Sequence, residues 1–146
     1  MRQIVLILVV VFAGAALFLL FHKSAEDEAA DAVAAFYAYE QESDFSDSWE
    51  MFHPLMKEKF DKIDYIQDRS HVFMDHFGVT TFTYTIGETT EMKEWSIENN
   101  AEPIEVVYQV PVTQTFKGEY GNFSLMQNVY VTEIDDEWKI LWDYKK

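Results

Sequence analysis

No cysteine occurs anywhere in the 146 residues. That excludes disulfides, thiol nucleophiles, thiolate metal ligands and any lipid carried on a cysteine sulfur. With three prolines and five glycines, the chain has no low-complexity segment, and no internal repeat is present. Positive charge is scarce: eleven lysines and arginines stand against 26 aspartates and glutamates. Setting aside Arg2 and Lys23, nine basic residues face all 26 acidic ones from Ser24 onward, a net charge of −17. Such a surface repels polyanions, which argues against nucleic acid and anionic headgroups as partners. The plain reading of this acidity is a solvated surface suited to saline or alkaline surroundings. The sharper reading is a specific basic partner.

What the sequence does have is one long apolar run. Ile4 to Phe21 is free of charge, and eighteen helical residues span roughly 27 Å, close to a hydrocarbon core of ~30 Å. A cleaved signal peptide has a shorter apolar region followed by small residues. Here Lys23 stands where a small residue is needed. The run therefore reads as an uncleaved signal anchor, residues 1–23, followed by one domain, residues 24–146. A domain of that size builds its own core without covalent staples. Arg2 on one side and Lys23 on the other give only a weak orientation signal. The simplest topology places the C-terminal domain outside the cytoplasm. Ala13 to Ala16 would let two membrane helices approach, so a homodimer is compatible with the sequence, although the spaced small-residue motif is missing.

Beyond the anchor, periodicity predicts helices first. Ala29, Val33, Phe36, Tyr37 and Glu40 share one face of a helix over Ser24–Glu42, with acidic residues in its first turn. Asp47 with Glu50 resembles a capping box for a short helix through Trp49, Phe52 and Met56, interrupted at Pro54. Asp61 caps a third helix with an inner stripe of Ile63, Ile66, Ser70, Phe73 or Met74, and Phe77, ending at Gly78. After Gly78 the period changes to two. Thr80 to Ile86 forms a strand that bends at Gly87 and resumes through Met92 and Trp95. Ile104 to Phe116 forms a second, bulged or at an edge around Pro111. Lys117 to Asn122 is a turn, and Phe123 to Ile134 a third strand. Asp135-Asp136 makes a tight hairpin into Glu137 to Tyr144, where Trp138, Ile140, Trp142 and Tyr144 alternate with Lys139, Leu141 and Asp143. The expected fold class is α+β: a transmembrane helix, then three helices packed on a curved four-stranded antiparallel sheet in meander order.

Helices first, a long-stranded sheet after, and a final Trp138-x-x-x-Trp142-Asp143 strand resemble the nuclear-transport-factor-2-like (cystatin-like) superfamily. Within it, the chain is similar to the N-terminal non-catalytic domain of methicillin-resistance-type penicillin-binding proteins. The similarity runs from about residue 28 to 144. It includes the Ala32-Val33-Ala34-Ala35-Phe36-Tyr37 helix and the Trp49-Glu50-Met51-Phe52 segment. In that family a transpeptidase domain with a serine nucleophile follows. These 146 residues contain no counterpart, so no catalytic residue is carried over. The resemblance implies a spacer or platform near the membrane.

The superfamily's enzymes use a pocket between helices and sheet, where an apolar wall tunes a carboxylate or histidine. Candidate pocket residues are Tyr37, Asp75, Tyr84, Tyr108, Trp138 and Trp142. Asp75 and His76 are adjacent on a helix, so they point about 100° apart and form no dyad alone. His71 and Asp75 share a face but lack a third metal ligand. Glu133, Asp135, Asp136 and Glu137 lack calcium-loop spacing and read as a solvated turn. Asn122-Phe123-Ser124 fits the glycosylation pattern, which means little in a bacterial protein. No metal and no cofactor is expected. The leading expectation is a membrane-anchored, non-catalytic binding or assembly module of the bacterial cell envelope, with an envelope protein or cell-wall partner. The alternatives are a small pocket enzyme or ligand carrier of the same fold, and a secretion-machine assembly component.

Overall fold

The computed structural model describes residues 7, 9–14, 23–72, 81–119 and 121–146. Among them no helix is long and apolar enough to cross a membrane. Most of the expected anchor, residues 4–21, lies outside the described residues. Residues 9–14 are helical, and Ile7, Val9, Val10, Val11 and Phe12 are 61–80 % exposed.

Helix α1 spans Ala25–Gln41, with the Ser24 hydroxyl accepting from the Asp27 N–H at 3.2 Å. Its stripe is as expected: Ala29, Val33, Phe36, Tyr37 and Glu40 are all buried. The expected second helix is two short ones, α2 (Phe45–Glu50) and α3 (Pro54–Lys59). Asp44 rather than Asp47 caps α2, because its carboxylate accepts from the Asp47 N–H at 3.2 Å. Pro54 opens α3, where its missing N–H costs nothing, so it starts a helix instead of kinking one. Helix α4 spans Lys62–His71 behind the expected Asp61 cap. Its inner face differs from expectation. Ile63 is 65 % exposed, whereas Tyr65 is buried and Ile66 packs partly against the core. Phe73, Met74, Phe77 and Gly78 lie outside the described residues.

Among the described residues the sheet has five antiparallel strands rather than four: β1 (Phe82–Ile86), β2 (Thr90–Trp95), β3 (Ile104–Gly118), β4 (Gly121–Ile134) and β5 (Glu137–Trp142). The row order is β1-β3-β4-β5, and β2 also pairs with β3. β1 and β2 are thus one broken row beside the long β3, and the break is at Gly87 as the sequence suggested. β1 pairs with Val112 to Phe116, β2 with Ile104 to Gln109. Pro111 lies in the gap between them, although β3 is central and not an edge. Its carbonyl accepts from the Gly87 N–H at 2.8 Å, so it faces the broken row. The N–H that proline lacks would face the same way, where no ladder partner is needed. A Cβ on Gly87 would lie 3.2 Å from the Pro111 Cβ, which is the close approach that selects glycine there. Strands β3 and β4 run further into the expected 117–122 turn, with Gly118 paired to Gly121. Asp135 and Asp136 both have positive φ, +52° and +63°, the geometry of a two-residue type I′ hairpin.

Helix α1 lies across β1, β3, β4 and β5, and α2 packs on α1 and α4. The face beneath α1 carries Val110, Val112, Phe116, Val129, Val131 and Ile140, all buried. The opposite face is buried too at one end, through Val107, Tyr130, Thr132 and Leu141. Trp95 stacks on Tyr130 there at 4.4 Å, and Lys145 lies over Trp95. Leu141 is therefore as buried as Ile140, so β5 is not half-exposed at its centre.

Candidate functional site

The site is built from two polar residues that interrupt apolar stripes. Glu40 falls on the buried face of α1, and its side chain is completely buried. Four donors meet it. Ser48 Oγ of α2 donates to Oε1 at 2.6 Å, and the Tyr65 hydroxyl of α4 donates to the same oxygen at 2.7 Å. Arg69 Nε donates to Oε2 at 2.8 Å, and Arg69 Nη2 donates to it as well. A carboxylate accepts about four hydrogen bonds, so Glu40 is saturated. Burial works against the charge on Arg69, but Glu40, Tyr65 and Tyr37 more than offset it and hold its pKa above the usual value. Burial, with Glu40 adding to it, also pushes the Tyr65 phenol up; burial does the same at Tyr37. These phenols stay neutral across the physiological range.

The second interruption is Gln114, in the β3 stripe Val110, Val112, Gln114, Phe116. It is 7 % exposed. It pairs with Leu125 of β4 and lines an open cavity of about 390 Å³ with Arg69, Leu125, Met126, Gln127 and Trp142. Gln114 Nε2 and Trp142 Nε1 are both buried without a hydrogen-bond partner. Each leaves a donor whose desolvation, on the order of 1–3 kcal/mol, is not offset by a bond. Trp142 is fixed by rings on several sides, with centroids 5.1 Å from Phe52, 6.0 Å from Phe60 and 6.3 Å from Phe36.

Of the candidate residues read from the sequence, Trp142 lines this cavity. Tyr37 borders it indirectly: its hydroxyl donates to Gln127 Oε1 at 3.4 Å. Tyr84 packs on Tyr37 at 5.7 Å and spends its hydroxyl on the Ala34 carbonyl at 2.9 Å. Tyr108 and Trp138 are not at the cavity. They pair with each other at 5.5 Å where β3 and β5 approach the Asp135-Asp136 hairpin, and the Tyr108 hydroxyl donates to Glu91 at 3.4 Å. Asp75 and His76 lie outside the described residues. Among the described residues no group of three or more potential ligands could hold a metal. Gln114 and Gln127 escaped sequence reasoning because polar strand residues normally face solvent, and Arg69 because a charged residue in the last turn of a helix normally does too. The available signal was the break in the stripe at Gln114, and likewise at Glu40.

His53 has a structural duty. Its Nδ1 accepts from the Leu55 N–H at 3.1 Å and caps α3, and burial lowers its pKa. Compared with known proteins, the chain matches no family model and no curated protein sequence.

Proposed function

We propose that the chain is a membrane-anchored, non-catalytic binding module of the bacterial cell envelope, with residues 4–21 as anchor and the domain outside the cytoplasm. The observation that carries the binding reading is the saturation of Glu40. A general base needs a lone pair directed at its substrate. Both Glu40 oxygens are instead committed to Ser48, Tyr65 and Arg69. The carboxylate braces α1, α2 and α4 and holds Arg69 at the cavity wall. What the cavity offers is neutral donors and apolar surface, the composition of a recognition site. The exposed apolar side chains of residues 7 and 9–12 support the anchor, since water disfavours a cluster of large exposed apolar groups. Helices followed by an antiparallel meander support kinship with the nuclear-transport-factor-2-like superfamily and its platform role near the membrane.

The test uses the full chain in its own membrane, with a photo-crosslinking residue at Met126 or, as control, at Ile63. A discrete adduct at Met126, without one at Ile63, is expected. Adducts at neither position would refute the module. Turnover of a small substrate that Glu40→Gln abolishes in a still-folded protein would replace it with the pocket enzyme.

A further inference from the structure

We infer that the outer edge of β4, from Gly121 to Asn128, takes up an extended segment of a partner protein as an added strand, with an asparagine or glutamine side chain of that segment entering the cavity at Gln114 and Trp142. This deepens the binding-module reading and rests on it.

Strand β5 pairs with β4 only from Ile134 to Val129. β4 continues to Gly121, paired to β3 on one side. Phe123 is half-buried and residues 121, 122 and 124–128 are exposed; among the described residues no backbone hydrogen bond reaches the outer side of Asn122, Ser124, Met126 and Asn128. The fold does close the edge of β5. His53 N donates to the Ile140 carbonyl at 3.0 Å, Ile140 N to the Met51 carbonyl at 2.9 Å, and Trp142 N to Met56 Sδ at 3.5 Å. Unpaired edges are commonly blunted with lysine, proline or a bulge. Gly-Asn-Phe-Ser-Leu-Met-Gln-Asn has none of these and no charge, in a chain of which a quarter of the residues are charged.

Cavities flank this edge on both faces. Leu125 and Gln127 point with Gln114 and Trp142 into the 390 Å³ cavity on the helix side. A second cavity of about 180 Å³ is lined by Met126, Asn128 and Pro111, which share the opposite face, with Val112 and Gln127. An added strand sends alternate side chains to opposite faces, as strand-addition docking requires.

The chemistry of the helix-side cavity selects its occupant. Gln114 Nε2 and Trp142 Nε1 are neutral donors that need acceptors. The charge of Arg69 is already matched by Glu40. A carboxylate would find no unbalanced positive charge and would enter against a net charge of −15. An amide carbonyl meets the donors without that penalty. The same net charge opposes a second copy of the chain and favours a partner with lysine or arginine flanking the extended segment.

The probe is acetyl-Lys-Thr-Val-Gln-Val-Thr-Lys amide, followed by NMR of the full chain in micelles. It should shift the amides of 121–128, the Trp142 indole N–H and the Gln114 side-chain amide, and leave the Trp49 and Trp95 indoles in place. The leucine analogue should bind at least tenfold more weakly, for the lost buried hydrogen bonds, and the glutamate analogue more weakly too, because its charge meets an acidic surface. N-methylation of alternate peptide nitrogens should abolish binding. Gln114→Leu removes one of the two unpartnered donors, so it should fold, and its preference for the glutamine over the leucine peptide should shrink, with the Trp142 indole N–H still shifted by the glutamine peptide. Equal affinity of the wild-type chain for all three peptides, or shifts confined to other surfaces, would overturn the inference. So would a dimer, formed without peptide, that Met126→Pro dissociates. If the peptides fail while the Met126 crosslink persists, the ligand class falls and the module stands; loss of both removes both.

Discussion

At Glu40 a carboxylate sits where the helical period calls for an apolar group, and three elements are arranged around it. Replacing it by glutamine leaves the Arg69 guanidinium without its charge partner. Because the Arg69 side chain keeps 23 % of its exposure, the cost should fall at or below the low end of buried-pair disruption, about 3 kcal/mol. Tyr65→Phe removes one hydrogen bond and should cost about 1 kcal/mol. Urea midpoints at constant slope decide this: a smaller loss for Glu40→Gln than for Tyr65→Phe would mean the carboxylate does not brace the helices. His53 provides a pH-dependent counterpart. Its folded pKa is lowered by burial, so the unfolded chain binds the proton first. The resulting stability is present above pH ~6.5 and declines as pH falls through the folded value. Protonation also removes the Nδ1 acceptor that caps α3. In His53→Asn, which keeps an acceptor but cannot titrate, the stability decline just below pH ~6.5 should shrink.

Elements were legible to the extent that their pattern is local. The α1 stripe follows from a 3.6-residue period and includes Glu40 correctly. The α4 stripe does not, because Ile63 and Tyr65 offer competing faces and the choice is made by Glu40, on α1. Alternation located the strands and the Gly87 break. It misjudged Pro111, since whether a proline is tolerated depends on what the neighbouring strand does opposite it. Two consequences follow at this scale. Gly87→Ala brings a methyl group 3.2 Å from the Pro111 Cβ, and the two strands must part slightly, for a loss of about 1 kcal/mol by thermal or urea unfolding. An unchanged stability would show that the break has room. Truncation before Trp138 removes Ile140 and Leu141 from the core and the Trp142 ring from between Phe36, Phe52 and Phe60. Two full burials alone represent roughly 3–6 kcal/mol, comparable to the whole stability of a small domain. Cooperative unfolding should vanish, and a truncated chain that still melts cooperatively would show that β5 is peripheral.

For the molecule as a whole, charge and edge geometry point the same way. The acidic surface opposes close approach of a second copy, and among the described residues an uncharged strand edge carries no backbone partner on its outer side, beside a cavity with two unpartnered donors. The sequence disclosed Trp142 because aromatics announce themselves. It concealed Gln114, Gln127 and Arg69, whose importance lies in which elements meet. That β5 leaves the first part of β4 uncovered is a property of unequal strand lengths, and those appear only once β5 is registered against Val129 to Ile134. Amide hydrogen exchange along β4, in the full chain with and without the glutamine peptide, tests this account most directly. Alternate amides of 121–128 should exchange rapidly in the free chain and slowly with peptide, while those of 129–134 are protected in both. Uniform protection along β4 in the free chain, or no change on adding the peptide, would contradict it.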